Sequence, residues 1–131
     1  MTFDVSLDRD GVATSGLGGA VIHYEEQWTA EHLLLTALSR CIVKSYGYHA
    51  RRAGHEAATT AAAHGAVTRR EEDGRFAFVE IRVALEVTLD APPTLDDLRA
   101  LSDKGERDCF IGASLAIKPD YHWTVNGEDL S

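Results

Sequence analysis

The longest hydrophobic pattern in the chain has helical spacing and covers residues 29–53. Apolar or small residues recur there at intervals of three and four, which places them along one face of a helix. These residues are Leu34, Leu35, Leu38, Cys41, Ile42 and Ser45. Further apolar residues extend the surface around most of the helix, so we expect it to be buried. Thr29 fits an N-cap, and Gly54 follows the expected end, where a left-handed residue commonly terminates a helix.

The N-terminal residues predict an opening hairpin. Apolar and polar residues alternate over 2–7, and Asp10-Gly11 is a turn signal before a short second strand that begins at Val12. The segment 20–24 is predicted to be a third strand, which a short loop connects to the long helix.

The clearest strand pattern covers residues 78–89. Every second residue is apolar, and we expect these side chains to point inward. The inward set is Val79, Ile81, Val83, Leu85, Val87 and Leu89. A strand of this length needs a long partner, and the segment 56–68 lies just before it across a predicted turn at 71–74. We therefore predict a strand for 56–68, although its alanines also favour a helix.

A second helix is predicted after this strand. Pro92-Pro93 ends the strand, because proline cannot donate a hydrogen bond to a neighbouring strand. Thr94 fits the N-cap of the helix, with Asp97 at the third helical position in a variant of the capping box. Gly105 is predicted to end the helix.

The last predicted elements complete an α+β chain. Asp108 is expected to cap a short helix over 109–115, and 121–125 is expected to be the final strand before a polar tail. This order of elements is typical of an antiparallel sheet with helices packed against it. No repeat or linker divides residues 1–131, so we expect a single domain. One small sheet cannot cover so apolar a central helix, which indicates a homodimer in which two copies of the helix pack together.

Composition and charge narrow the class of partner. The formal net charge is −8 and the pI is near 5.1, which argues against binding to nucleic acid or anionic membranes, since both need a basic face. No apolar run approaches the ~20 residues of a membrane span, and the first residues lack the features of a signal peptide. We therefore expect a cytoplasmic protein with a small-molecule or protein partner.

The candidate chemistry lies in two cysteines. In a reducing compartment such a pair is seldom a structural disulfide, so Cys41 and Cys109 are either two buried apolar side chains or a redox couple. Composition does not choose between these alternatives. The six histidines show no spacing typical of metal ligands, and no cofactor motif is present, so we expect neither a metal nor a cofactor.

Three segments of the chain carry a resemblance to a known family. They are AEHLLLTALSRC, in which Glu31 precedes Cys41 by ten residues, LRALSDKGERDC, which ends at Cys109, and a closing strand that ends in Val-Asn-Gly. Together they resemble the OsmC/Ohr family of osmotically inducible and organic-hydroperoxide-resistance proteins, over nearly the whole chain. The resemblance implies an OsmC-like α+β fold with a long central buried helix, in an intertwined homodimer. It also implies a thiol-dependent peroxidase that reduces organic hydroperoxides in the oxidative stress response.

The resemblance further implies roles for four residues. Cys41 would be the peroxidatic thiolate, and Cys109 would resolve it in a redox-active disulfide. Arg9, in the turn of the first hairpin, and Glu31 would organise the thiolate and the peroxide. An external dithiol would then reduce the disulfide.

The chemistry and the helix geometry add two expectations. Only a thiolate reduces a peroxide, and Cys41 lies in the middle of a helix without help from the helix dipole, so it needs a cation such as Arg9. Ten helical residues span about 15 Å, so Glu31 and Cys41 of one chain cannot touch the same peroxide. If both serve one site, Glu31 must come from a partner subunit whose helix runs antiparallel.

Each of these residues also has a purely structural interpretation. A cysteine on an apolar helix face is commonly a small core residue, Glu31 also suits the first turn of a helix, and Arg9 also suits a polar turn. Two hypotheses of different classes therefore remain: a thiol peroxidase, and a non-catalytic binding or redox-sensing protein on the same fold. Peroxide consumption with a dithiol separates them, because a sensor oxidises once whereas an enzyme turns over.

Overall fold

The structure is a computed structural model that describes residues 1–91 and 93–130. Pro92 lies outside the described residues. It belongs to the Pro92-Pro93 pair that was predicted to end a strand. The chain forms two compact units, residues 1–33 and 34–131. The single domain expected from the sequence stays a prediction.

The first unit contains the predicted hairpin. Strands β1 (Val5–Leu7) and β2 (Ala13–Ser15) pair antiparallel. The Asp8 carboxylate holds the turn between them, because its Oδ1 accepts hydrogen bonds from the backbone N–H groups of Asp10 at 2.9 Å and Val12 at 3.0 Å. The prediction of an opening hairpin is confirmed.

The third strand predicted over 20–24 is wrong. The structure has only an isolated bridge there, between Ile22 and Ala13 of β2. Gly18 and Gly19, just before the segment, both have positive φ values of 78° and 86°. The chain turns at these glycines, and a single residue of the segment then pairs with β2.

Helix α1 (Ala30–Arg52) confirms the long predicted helix. The Thr29 hydroxyl accepts a hydrogen bond from the His32 N–H at 3.3 Å, as an N-cap does, and Gly54 has a φ of 87° just after the helix. The buried face carries Leu38, Ile42, Ser45, Tyr46 and Ala50. The first turn is exposed, so the helix of one chain is buried over part of its length only.

Among residues 34–91 and 93–130, four strands form one sheet in chain order: β3 (Ala57–Arg69), β4 (Phe76–Leu89), β5 (Asp120–Val125) and β6 (Glu128–Asp129). The predicted long hairpin of β3 and β4 is confirmed, and its strands pair antiparallel. β5 lies parallel to β4, whereas β6 pairs antiparallel with β5 and was not predicted. The fold class is α+β, as expected.

The inward alternation along β4 holds from Ile81 to Leu89 and breaks at Val79. The pairing shifts between Ala66 and Val67 of β3, so that Glu80 and Phe78 find partners and Val79 does not. Such a bulge reverses which side of the strand faces the core. Val79 is therefore 43% exposed, and Phe78 packs against the core in its place.

Helix α2 (Leu95–Arg107) begins as predicted, with the Asp97 N–H donating to Thr94 Oγ1 at 3.3 Å. It does not end at Gly105, as predicted, but continues for two more residues. Gly105 is buried, and a Cβ at this position would lie 3.4 Å from the backbone of Tyr46. The glycine therefore allows α2 to pack closely on α1 and does not break the helix.

A short helix, α3 (Phe110–Ala113), follows α2. Its N-cap is Cys109, whereas Asp108 occupies the C-cap of α2. The prediction that Asp108 caps this helix is wrong, because Asp108 still belongs to the end of the preceding one. No helix among residues 1–91 and 93–130 is long and apolar enough to cross a membrane.

Candidate active site

Cys41 lies in the middle of α1, next to the buried residues Leu38 and Ile42. Its thiol is free and partly buried. The backbone N–H of Ile111, in α3, donates to the Cys41 sulfur at 3.5 Å. Although 70 residues separate these two positions, the fold brings α3 directly onto the Cys41 side chain.

Cys109 lies on the other side of this contact as the N-cap residue of α3. Its thiol is also free, and the residue is fully buried, with no exposed surface. The backbone N–H of Gly112 donates to the Cys109 sulfur at 3.4 Å. The two sulfurs are thus held by successive N–H groups of one short helix.

Cys41 is one of the neighbours that act on the ionisation of Cys109. Burial raises the pKa of the Cys109 thiol, and the hydrogen bond and charge of the neighbouring Cys41 sulfur raise it further. The Gly112 N–H and the Tyr121 hydroxyl act in the opposite direction and lower the pKa of Cys109. The structure therefore brings together the two cysteines that the sequence singled out, with Cys109 as the buried partner, whose thiol has a raised pKa.

Two contacts between α1 and the end of α2 fix Cys109 relative to Cys41. The Ser45 hydroxyl donates to the Gly105 carbonyl at 2.8 Å, and one turn later His49 Nε2 lies 2.7 Å from Asp108 Oδ2. The Arg107 side chain, and then His49, lower the pKa of the Asp108 carboxyl to about 2. Asp108 is covalently next to Cys109, so these contacts set the position of the buried thiol.

Tyr121 and Gly112 belong to the same cluster, and sequence reasoning did not find them. The sequence predicted Tyr121 only as part of the final strand and Gly112 only as part of the short helix over 109–115. A Cβ added to Gly112 would lie 2.6 Å from the Tyr121 hydroxyl oxygen and 3.4 Å from the Cys109 sulfur. The only sequence signal for Tyr121 is that it shares the inward side of β5 with Trp123 and Val125.

Arg9 and Glu31 lie in the first unit. Arg9 is exposed in the turn between β1 and β2, and Glu31 is exposed in the first turn of α1. Neither side chain forms a hydrogen bond or ion pair within residues 1–33. Their participation in a site with Cys41 stays a prediction.

Among the described residues, no three or more histidine, cysteine, aspartate or glutamate side chains cluster as a metal site would require. The arrangement that the structure does show is a dithiol, in which a partly exposed sulfur lies beside a buried one. Such a pair can form a disulfide and can be reduced again by another thiol.

Comparison with known proteins identifies the family. The profile described as OsmC-like protein matches residues 23–124. Among curated proteins, none matches the chain significantly in sequence.

Solved structures with the same fold cover nearly the whole chain. An OsmC-like protein of unknown function from Vibrio cholerae is 14% identical and has a TM-score of 0.77, over 94% of this chain and 97% of that one. An OsmC-like protein from Mycoplasma pneumoniae is 16% identical with a TM-score of 0.76, over 95% and 97% of the two chains. The organic hydroperoxide resistance protein OhrB of Bacillus subtilis is 17% identical with a TM-score of 0.63, over 96% and 98%. With the family match over most of its length, the chain belongs to the OsmC-like protein family.

Proposed function

We propose that this protein is a thiol-dependent peroxidase that reduces organic hydroperoxides, with Cys41 as the peroxidatic cysteine and Cys109 as the resolving cysteine. The observation that carries the proposal is the meeting of two free thiols from distant parts of the chain, held by the N–H groups of Ile111 and Gly112. Several proteins of the same fold are named organic hydroperoxide resistance proteins, which supports the class of substrate.

The exposure of the two sulfurs supports this assignment of roles. Cys41 is the more accessible thiol, so its thiolate attacks the peroxide oxygen, the O–O bond breaks, and an alcohol leaves. Cys41 then carries a sulfenic acid, which the buried Cys109 attacks to form a disulfide and release water. An external dithiol reduces this disulfide and returns both thiols.

We further propose that the site is shared between two subunits of a homodimer. The first unit exposes apolar side chains that a second subunit would cover: Phe3, Val5, Leu7, Leu17, Ile22, Tyr24 and Trp28. Arg9 and Glu31 of one subunit would then serve Cys41 of the other, with Arg9 stabilising the thiolate and Glu31 holding the guanidinium. In this proposal residues 1–131 act as one domain in the cytoplasm.

Mixing two inactive variants tests the shared site. Dimers that combine a Glu31→Ala chain with a Cys41→Ser chain contain one site with both intact residues, so we expect part of the activity to return. The control is each variant alone, which stays inactive. Mixed dimers that form without regaining activity, or a fully active monomer, would contradict the sharing of residues.

Two cysteine variants test the peroxidase itself. We expect Cys41→Ser to consume no peroxide in a dithiol-coupled assay, because a serine hydroxyl is not ionised at neutral pH. We expect Cys109→Ser to react once and then accumulate over-oxidised Cys41, since no second thiol intercepts the sulfenic acid. Consumption by the first variant would end the proposal, and repeated turnover by the second would show that an external thiol resolves Cys41.

A redox sensor on the same fold is the alternative. The burial of Cys109, which raises the pKa of its thiol, favours this alternative because a protonated thiol attacks slowly. Catalytic consumption of many equivalents of peroxide with a dithiol present supports the enzyme, whereas one slow oxidation per chain supports the sensor.

A further inference from the structure

The hydroxyl group of Tyr121 lies beside the proposed resolving cysteine. Tyr121 is on the inward side of β5, and its hydroxyl oxygen is buried against Gly112, where an added Cβ would lie only 2.6 Å away. The Cys109 sulfur lies against the same point, 3.4 Å from that Cβ position. Gly112 therefore leaves the space in which a phenol oxygen and a reacting sulfur approach each other.

This hydroxyl has no well-formed hydrogen bond with any described residue. A buried hydroxyl without a partner is uncommon, because it loses its hydrogen bonds to water and gains none in return. The Tyr121 hydroxyl and the Cys109 sulfur both lie beside Gly112, and the hydroxyl acts on the sulfur as a donor that lowers the pKa of the thiol. A thiolate accepts a stronger hydrogen bond than a thiol does, so the contact tightens when Cys109 loses its proton.

We infer that Tyr121 is a further catalytic residue, whose hydroxyl donates a hydrogen bond to the Cys109 sulfur as this sulfur attacks oxidised Cys41. The inference rests on the proposed peroxidase function, and it assigns Tyr121 to the resolving step only. In that step the S–S bond forms between Cys109 and Cys41, and the S–O bond of the Cys41 sulfenic acid breaks. The leaving hydroxide takes the Cys109 proton, and the product is water.

The surroundings keep Tyr121 a donor throughout this step. Burial first, and then the charge of Cys109, raise the pKa of the Tyr121 phenol above its usual range, so the hydroxyl keeps its proton. The titratable groups that act on its pKa include Cys109, Cys41 on α1 and Glu106 on α2. Tyr121 also shares the lining of one cavity with the charged residues Asp103, Arg107 and Lys118. The Glu106 carboxylate already accepts a hydrogen bond from Trp123 Nε1 at 2.8 Å.

A titration of Cys109 tests the hydrogen bond without any peroxide. In a Cys41→Ser chain, Cys109 is the remaining cysteine of the sequence, and the ¹³Cβ chemical shift of labelled cysteine follows its ionisation. Adding Tyr121→Phe removes one donor to the thiolate, so we expect the pKa of Cys109 to rise. Amide spectra recorded in the same titration show that each variant is folded.

Tyr46→Phe is the matched control. The Tyr46 hydroxyl is also buried without a well-formed hydrogen bond to a described residue, and its ring packs against Trp123 with the centroids 4.7 Å apart. The two variants lose the same atom from comparable surroundings, but of the two hydroxyls it is that of Tyr121 that acts on the pKa of Cys109. We expect Tyr46→Phe to leave the pKa of Cys109 unchanged, and an equal shift in both variants would overturn the inference.

The kinetics of disulfide formation give the second test, with both cysteines present. If Tyr121→Phe lowers the thiolate fraction of Cys109 tenfold, the resolving rate at neutral pH should fall only about threefold. The thiolate that remains is more basic and therefore more nucleophilic, which offsets part of the loss. At high pH, where Cys109 is ionised in both proteins, Tyr121→Phe should resolve at least as fast as the unmodified chain. A purely structural defect would lower the rate at every pH.

The two tests separate this inference from the proposed function. An unchanged Cys109 pKa in Tyr121→Phe, or a rate deficit that is equal at all pH values, overturns the role of Tyr121 even in an active peroxidase. A raised pKa in a protein that consumes no peroxide supports the hydrogen bond and overturns the proposed function instead.

Discussion

Replacing Ser45 with alanine tests how the buried cysteine is held in place. The Ser45 hydroxyl donates to the Gly105 carbonyl at 2.8 Å, and Ser45 is only 9% exposed. This carbonyl is among the last four of α2, which have no partners within their own helix, and the Cys109 N–H donates to Glu106 instead. Ser45→Ala therefore removes the hydrogen bond and leaves a buried carbonyl without a donor.

The expected loss of stability follows from the lost hydrogen bond and the unpaired carbonyl. Losing the bond and leaving a buried acceptor unsatisfied costs about 1–3 kcal/mol. Alanine is the better helix former and returns about 0.5 kcal/mol of this. We therefore expect the free energy of unfolding to fall by about 0.5–2.5 kcal/mol, with the larger values if water cannot reach the carbonyl.

Urea denaturation followed by circular dichroism measures this difference, at one protein concentration because a dimer unfolds in a concentration-dependent way. Ser39→Ala is the matched control in the same helix. The Ser39 hydroxyl donates at 2.8 Å to the Leu35 carbonyl, which is already paired within the helix. We expect Ser39→Ala to be neutral or stabilising by about 0.5 kcal/mol. Equal effects in both variants would refute the reasoning that Ser45 satisfies an otherwise unpaired carbonyl.

Two further variants test the surroundings of Cys109. Gly112→Ala places a methyl group 2.6 Å from the Tyr121 hydroxyl, so we expect a loss of about 1–3 kcal/mol in urea denaturation, and an unchanged stability would contradict the close approach. Arg107 and His49 lower the pKa of the Asp108 carboxyl to about 2 in the folded state. The ionised Asp108 therefore stabilises the fold above the ordinary aspartate pKa near ~3.9, and this stabilisation is lost as the pH falls towards about 2. The stability advantage of the unmodified chain over Asp108→Asn should therefore shrink between about pH 5 and pH 3, and an equal advantage at both values would contradict the assignment.

Strictly periodic segments were predictable because their local pattern and their environment agree. The helix at 29–53 and the strand at 78–89 both appear within a few residues of their predicted bounds. Val79 was misplaced because a bulge depends on how β4 pairs with β3, which the sequence of one strand does not contain. Gly105 was misread because glycine indicates either a helix end or a close approach, and only the position of Tyr46 decides between them.

Some residues of the candidate site could be predicted from the sequence, and others could not. Cys41 and Cys109 were identifiable from the sequence because cysteine carries its chemistry in the residue type. The N–H groups of Ile111 and Gly112 could not be identified from the sequence, since any residue other than proline supplies a backbone donor. They reach the two sulfurs only because of where α3 lies in the fold. The Tyr121 hydroxyl was hidden for a related reason, because tyrosine serves packing as readily as chemistry and burial alone does not separate the two.

Mass spectrometry after one equivalent of an organic hydroperoxide tests directly whether Cys41 and Cys109 reduce peroxide by forming a disulfide. We expect each chain to lose two hydrogens and peptide mapping to find one disulfide between Cys41 and Cys109, which a dithiol then reduces. We also expect Cys41→Ser to show no such change under the same conditions. Unreacted thiols in the unmodified chain, or oxidation at other residues without a disulfide, would contradict the proposal that these two cysteines reduce peroxides.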